Sequence, residues 1–369
     1  MLKKLCFIIF ATAFSHLSFA QILTSMQGGG STKASVTERI GITDVTIHYD
    51  RPAVKGREGK IWGKLVPYGF TDLGFGTSKA APWRAGANEN TVITFSTDVM
   101  IEGKPLAAGS YGFFVDMEEG NANIIFSKNT GSWGSFFYDL KEDALRANVK
   151  TAPLTESEER LKYEFMNQKD NSAVIALQWE KMKIPFTVSV DYVKTQMDSY
   201  RRELRSNKGF NPDAYVEAIN FSLANNINPE EALAWSDYAI NGVFVGQKNF
   251  KTLSTKAKVL NKLNRKAEAD ALMKEAMPMA SMQDLHQYAR QLLREKKNAE
   301  ALEAFKMNGQ KFPNVFTTNM GLMRGYSANG DYANALKYAK AALPQASDTA
   351  NKNAIENFIK MLSEGKDIN

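Results

Sequence analysis

The change of hydrophobic period near residue 192 constrains this chain most. Before it, apolar and polar residues alternate in short runs punctuated by glycine. After it, apolar residues recur every three or four positions, as on one face of a helix. A period of two buries one face of a strand, and a period near 3.6 buries one stripe of a helix, so the halves call for different architectures. A length of 369 residues accommodates two or three domains. The expected fold class is α+β multidomain, with an antiparallel β-sandwich or barrel-like domain followed by an all-α helical repeat domain.

In the helical half, Ala232, Ala269, Ala301 and Ala335 occupy equivalent places in second helices, at intervals of 37, 32 and 34 residues. The third unit adds Leu285, Tyr288, Ala289, Leu292, Phe305 and Pro313. The fourth adds Tyr326, the turn Asn329-Gly330-Asp331 and Ala339, with Met323 where a small residue is expected. Alanines let paired helices approach, and aromatics fill the gaps between units. Asn228 before Pro229 reads as an N-cap and first helical position. A period near 34 resembles that of tetratricopeptide repeats, here over residues 210–364. A linker helix, residues 193–209, precedes them. The resemblance implies a protein or peptide partner, with first-helix residues such as Gln287, Arg290, Asn319 and Arg324 lining the groove.

In the first half, Val45, Ile47 and Tyr49 alternate with Thr46, His48 and Asp50, the pattern of a half-buried strand whose polar face carries His48 and Asp50. Further strands are expected over 91–96, 99–102, 110–117, 122–127, 161–165, 173–180 and 185–191, with 139–149 a short helix or a bulged connection. Seven or eight strands without intervening helices indicate a sandwich or barrel spanning 34–192.

Two segments concentrate chemistry. One is Trp83-Arg84-Ala85-Gly86-Ala87-Asn88-Glu89-Asn90-Thr91, and the other runs from His48 to Arg57. With Leu65-Val66-Pro67-Tyr68-Gly69, Ala108-Gly109-Ser110-Tyr111, Trp133-Gly134, Tyr138-Asp139 and Trp179-Glu180, they resemble the DUF2911 family. That resemblance implies a bacterial exported domain of unknown function. The chain departs from the pattern by an insertion, residues 70–82, and by two extra residues between Arg57 and Ile61.

The candidate ligand-binding residues are His48, Asp50, Arg51, Lys55, Arg57, Trp83, Arg84, Asn88 and Glu89. Arg84 can fork onto a carboxylate or phosphate, Trp83 can stack on a sugar or ring, and Asn88 and Glu89 can accept from hydroxyls. The structural alternative has Trp83 plugging the end of the fold, Arg84 paired with Glu89, and Asn88 making a turn. Arg51, Lys55 and Arg57 can hold an anion or form a solvated loop. No catalytic residue, cofactor or metal is assigned. There is no Gly-x-Ser-x-Gly elbow, and beyond residue 20 only His48 and His286 offer imidazoles, too few for a metal set without carboxylates.

Residues 1–20 read as a signal peptide: Lys3-Lys4, an apolar run from Leu5 to Phe14, then Ser18-Phe19-Ala20 as the cleavage site. Residues 21–33, with Gly28-Gly29-Gly30, read as a flexible leader. The chain is expected to be exported, periplasmic or secreted after cleavage near Ala20, without a later transmembrane anchor. The net charge of +6 is interleaved with acids, and no cationic stripe suits nucleic acid. The function expected is a non-catalytic binding or scaffold protein. Its β domain takes a small polar or glycan ligand and its repeats take a protein. The alternative is an extracytoplasmic hydrolase of a glycan or other polar substrate.

Overall fold

The computed structural model describes residues 30–369. The expected signal peptide and all but the end of the leader lie outside the described residues. The chain divides into two compact units after Tyr192.

The first unit is built from β1 (Thr32–Ile40), β2 (Thr43–Arg51), β3 (Thr91–Phe95), β4 (Val99–Ile101), β5 (Lys104–Leu106), β6 (Gly109–Glu118), β7 (Asn121–Ser127), β8 (Asp143–Lys150), β9 (Ala152–Lys169) and β10 (Ser172–Ser189). They form a six-stranded sheet ordered β1-β2-β3-β6-β7-β8 and a four-stranded sheet ordered β5-β4-β10-β9. Every strand pair is antiparallel. The inner faces share one core. Ile47, Ile93, Phe113 and Phe126 of the larger sheet meet Leu177 and Phe186 of the smaller, and the Phe113 and Phe186 rings stack at 5.4 Å. Burial of this apolar surface drives the two layers together.

Three expectations change. The strands expected at 173–180 and 185–191 are one strand, β10, which shifts register between Gln178 and Met182. A bulge there breaks the alternation that would have joined them. Residues 143–150 are strand β8, entered through a single 3₁₀ turn, Leu140–Glu142, rather than a helix. Strand β1 begins at Thr32, inside the expected leader.

The second unit opens with α1 (Tyr192–Glu203). Four antiparallel pairs follow: α2 (Pro212–Ala224) with α3 (Pro229–Asn241), α4 (Phe250–Lys262) with α5 (Lys266–Ala276), α6 (Met282–Arg294) with α7 (Asn298–Lys311), and α8 (Phe316–Ala328) with α9 (Tyr332–Ala342). A last helix, α10 (Thr349–Ser363), packs on the final pair. Ala232, Ala269, Ala301 and Ala335 are all fully buried in the second helices, as their spacing predicts. Between units, close approach also needs glycine. A Cβ on Gly321 or Gly325 of α8 would press into the Phe305 ring of α7. Asn228 precedes Pro229 as expected, but it is left-handed (φ 44°) and its side chain makes no capping bond. None of the described helices is long and apolar enough to cross a membrane.

Candidate functional site

The bulge in β10 determines what lies at one end of the first unit. Glu180 sits at φ 51° within the bulge, and its carboxylate accepts from the backbone N–H groups of Gly59 (3.1 Å) and Lys181 (2.7 Å). The preceding residue, Trp179, is thereby held in the core, where it is 1% exposed. Trp83 stacks on it at 6.0 Å, and Trp62 meets both edge-on at 5.9 and 5.6 Å. Reciprocal backbone hydrogen bonds between Trp83 and Val115 of β6, 2.9 and 2.8 Å, anchor the middle indole.

Beside this wall lies a cavity of about 360 Å³. Arg57, Leu65, Leu73, Trp83, Arg84 and Trp179 contribute to its lining. The two chemically dense segments therefore meet, and the insertion supplies Thr71, Leu73, Ala81 and Pro82 as part of the wall. Thr71 and Ala81 close that insertion with a pair of backbone hydrogen bonds of 3.0 and 2.9 Å. Arg57 donates to the carbonyls of Val54 (2.9 Å) and Ala53 (2.6 Å). Arg84 donates to the Asn88 carbonyl at 2.5 Å, lies over the Phe136 ring at 5.0 Å, and rests on Gly134, where a Cβ would strike its guanidinium. Burial pushes the Arg84 guanidinium below its ordinary value, yet an arginine keeps its charge at neutral pH. Among the described residues, two cations and no carboxylate line this cavity.

The loop that carries Arg84 is over-determined. Ala85 and Asn88 adopt left-handed backbone at φ 50° and 54°. The Ala85 carbonyl accepts from Thr91 Oγ1 (3.1 Å) and from the buried Tyr163 hydroxyl (2.8 Å). Such restraint holds a strained segment in one conformation.

The remaining candidates go elsewhere. His48 is exposed and, with Glu89, lines a separate open recess beside Trp133. His48, Arg84, Asn88 and Glu89 thus do not converge. Glu89 pairs with Lys33 rather than with Arg84. Asn88 is exposed and uses its carbonyl to hold Arg84. Arg51 donates to the Leu161 carbonyl at 2.9 Å, a bond that ties β2 to β9. The Lys55 side chain is solvated, and its backbone N–H donates to Glu159 at 3.1 Å. Asp50 corrects the strand reading: it is 3% exposed and does not share a solvated face with His48. The 83–91 loop covers it, and burial raises its pKa, opposed by a hydrogen bond from Asn88 and by Lys33. In the helical half, Gln287 lines a cavity along α4–α7 and Arg290 is exposed. Asn319, by contrast, is buried and bonded to Asn314 and Gln345, so it lines no groove.

The Asp50 environment predicts a sign. Its carboxyl is neutral in both folded and unfolded states below the ordinary carboxylate range. It ionises at higher pH in the folded state than in the unfolded one, so stability declines as pH rises through that window. Oδ1 has no hydrogen-bond partner among the described residues. Asp50→Asn is expected to stabilise the first unit by about 1 kcal/mol at neutral pH, with the gain vanishing in acid. Urea midpoints across pH would show this. A loss of stability at neutral pH would refute it.

Trp62 and Trp179 were not among the expected site residues, nor was Trp133. Trp133-Gly134 and Trp179-Glu180 nevertheless stand among the segments that carry the family resemblance.

Residues 31–188 match the DUF2911 family. The family is described as a protein of unknown function. The matched region spans β1 to nearly the end of β10 and contains the whole indole-walled cavity. No curated protein matches the chain. Among solved structures, the chain is similar to one titled "Crystal structure of YrrB: a TPR protein with an unusual peptide-binding site". The two are 17% identical, the match covers 45% of this chain and 84% of that one, and the TM-score is 0.28. Among the described residues, no group of three or more His, Cys, Asp or Glu side chains is placed to hold a metal ion.

Proposed function

We propose that this chain is an exported, non-catalytic binding protein. Its DUF2911 region, a sandwich of two packed sheets, binds a small anion with an apolar body, and its helical repeats bind a polypeptide. The observation that carries the first part is the cavity of about 360 Å³ with two half-buried guanidiniums, no lining carboxylate and an indole wall. Neither Arg57 nor Arg84 has an ion-pair partner among the described residues. A cation held in a partly desolvated pocket favours an anionic guest, and arginine's planar fork suits carboxylate or phosphate. Trp83 and Trp179 offer the guest's apolar body a rigid surface. Export rests on the pattern of residues 1–20.

The helical part rests on the paired-helix architecture and on a cavity of about 800 Å³ along α4, α5, α6 and α7. Lys258, Lys266, Arg294 and Lys297 alternate there with Asp270, Asp284, Glu295 and Glu300. Such a lining suits a polypeptide of mixed charge.

The cavity is tested by titrating the full chain with phenyl phosphate and benzoate, using benzyl alcohol as the neutral control. Because two indoles wall the cavity, binding is expected to change tryptophan emission saturably for the anions only. Arg84→Met, which keeps an apolar stem, should weaken binding at least about tenfold, or 1.4 kcal/mol. Equal responses to the anions and the alcohol, or no response to any of them, would sink the reading.

A further inference from the structure

The outer face of the six-stranded sheet carries a second, chemically different surface. Strand register places Thr37 opposite Thr46, Thr46 opposite Thr94, and Thr94 opposite Ser110. Four hydroxyls therefore run in one row across β1, β2, β3 and β6, a span of roughly 14 Å at the usual strand spacing. Two adjacent pairs are hydrogen-bonded, Thr37 with Thr46 at 3.0 Å and Thr94 with Ser110 at 2.8 Å. Each hydroxyl retains capacity for another partner, since a hydroxyl offers one donor and two acceptor positions.

Two residues further along the strands, the next row is Ser35, His48, Val92 and Gly112. Gly112 is required there, because a Cβ would collide with the carbonyl of Asn129. The 129–133 loop can therefore lie directly on β6. It brings Trp133, 55% exposed, to the same recess as His48, Asn90, Thr94, Ser110 and Thr130. Asn90 is 8% exposed. Its Nδ2 donates to the Asn129 carbonyl at 3.2 Å, whereas its Oδ1 has no hydrogen-bond partner. Asn90 thus fastens the 129–133 loop beneath the recess.

We propose that this face binds a neutral oligosaccharide lying across the strands, with one sugar ring on Trp133. The chemistry selects the class. An indole face takes the C–H side of a sugar ring. Hydroxyls and an exposed imidazole are the complementary partners for sugar O–H groups. The one carboxylate in the recess, Glu89, is paired with Lys33, so neither a cation nor an anion is called for. The surface shares no lining residue with the Arg57–Arg84 cavity and is independent of the function proposed for that cavity.

The test is calorimetric titration of the full chain with cellohexaose, maltohexaose, mannohexaose and chitohexaose. At least one should bind. Trp133→Ala, at an exposed position, should leave the melting temperature unchanged and weaken that complex about tenfold. Thr94→Val should weaken it less. Absence of heat with every hexaose at about 10 mM, where even a millimolar complex approaches saturation, would overturn the proposal. So would a Trp133→Ala protein that binds as tightly as the parent.

Discussion

Trp179→Ala is expected to destabilise the first unit by about 3–5 kcal/mol, the usual cost of deleting a fully buried large aromatic. The residue is 1% exposed and contacts both Trp62 and Trp83, so its removal leaves a void that the bulge on either side cannot collapse to fill. Glu180 is held by the backbone of Gly59 and Lys181, which keeps the strand from moving inward. Urea unfolding followed by tryptophan emission checks this, because Trp62, Trp83 and Trp133 remain in the same unit. With a slope of about 1–3 kcal/mol per molar, the midpoint should fall by more than about 1 M. Trp179→Phe should recover much of the loss. It keeps a stacked ring, and the indole N–H it removes is a buried donor without a partner. A Trp179→Ala loss below about 1 kcal/mol would show that the indole cluster does not hold this end of the unit together.

The same residue shows where sequence reasoning succeeds and where it stops. Alternation and helical spacing are local, so the division near residue 192, most strands and the buried alanines of the repeats could be read directly. The β10 bulge is invisible to alternation, because one extra residue inverts the pattern and makes one long strand look like two. Asp50 was misread for a different reason. Strand periodicity assigns it a face, but burial depends on a loop forty residues later that folds over it. Glu89 lies close in sequence to Arg84, yet Lys33, across the sheet edge, takes it. Local pattern thus placed Arg57 and Arg84 in promising segments, while their shared cavity follows from tertiary closure by the insertion.

His286 gives the second unit an acid sensitivity of its own. The imidazole lies on α6 against the Phe305 ring of α7, 5.7 Å away, and its Nδ1 is buried beside Gly321 of α8 without a hydrogen-bond partner. Burial is the main cause that lowers its pKa to about 4, and the charges of Arg290 on α6 and Arg324 on α8 add to it. A hydrogen bond with the Thr317 backbone opposes the shift only in part. In the unfolded chain a histidine titrates near 6.5. Above that value it is neutral in both states, and stability is unaffected. As pH falls from 6.5 towards 4, the unfolded chain takes up a proton that the folded unit refuses, so stability is lost through this window. Discounted for the partial exposure of the ring, the loss should be on the order of 1–2 kcal/mol. Carboxylates titrate in the same range, so the decisive measurement is a difference. Wild type and His286→Leu are unfolded in urea at about pH 7 and about pH 4.5, followed by far-UV circular dichroism. Wild type should lose about 1–2 kcal/mol more than the variant on acidification. Equal losses, or an imidazole that NMR shows protonated in the folded chain at about pH 6, would mean that His286 is not held neutral by its burial and its two arginines.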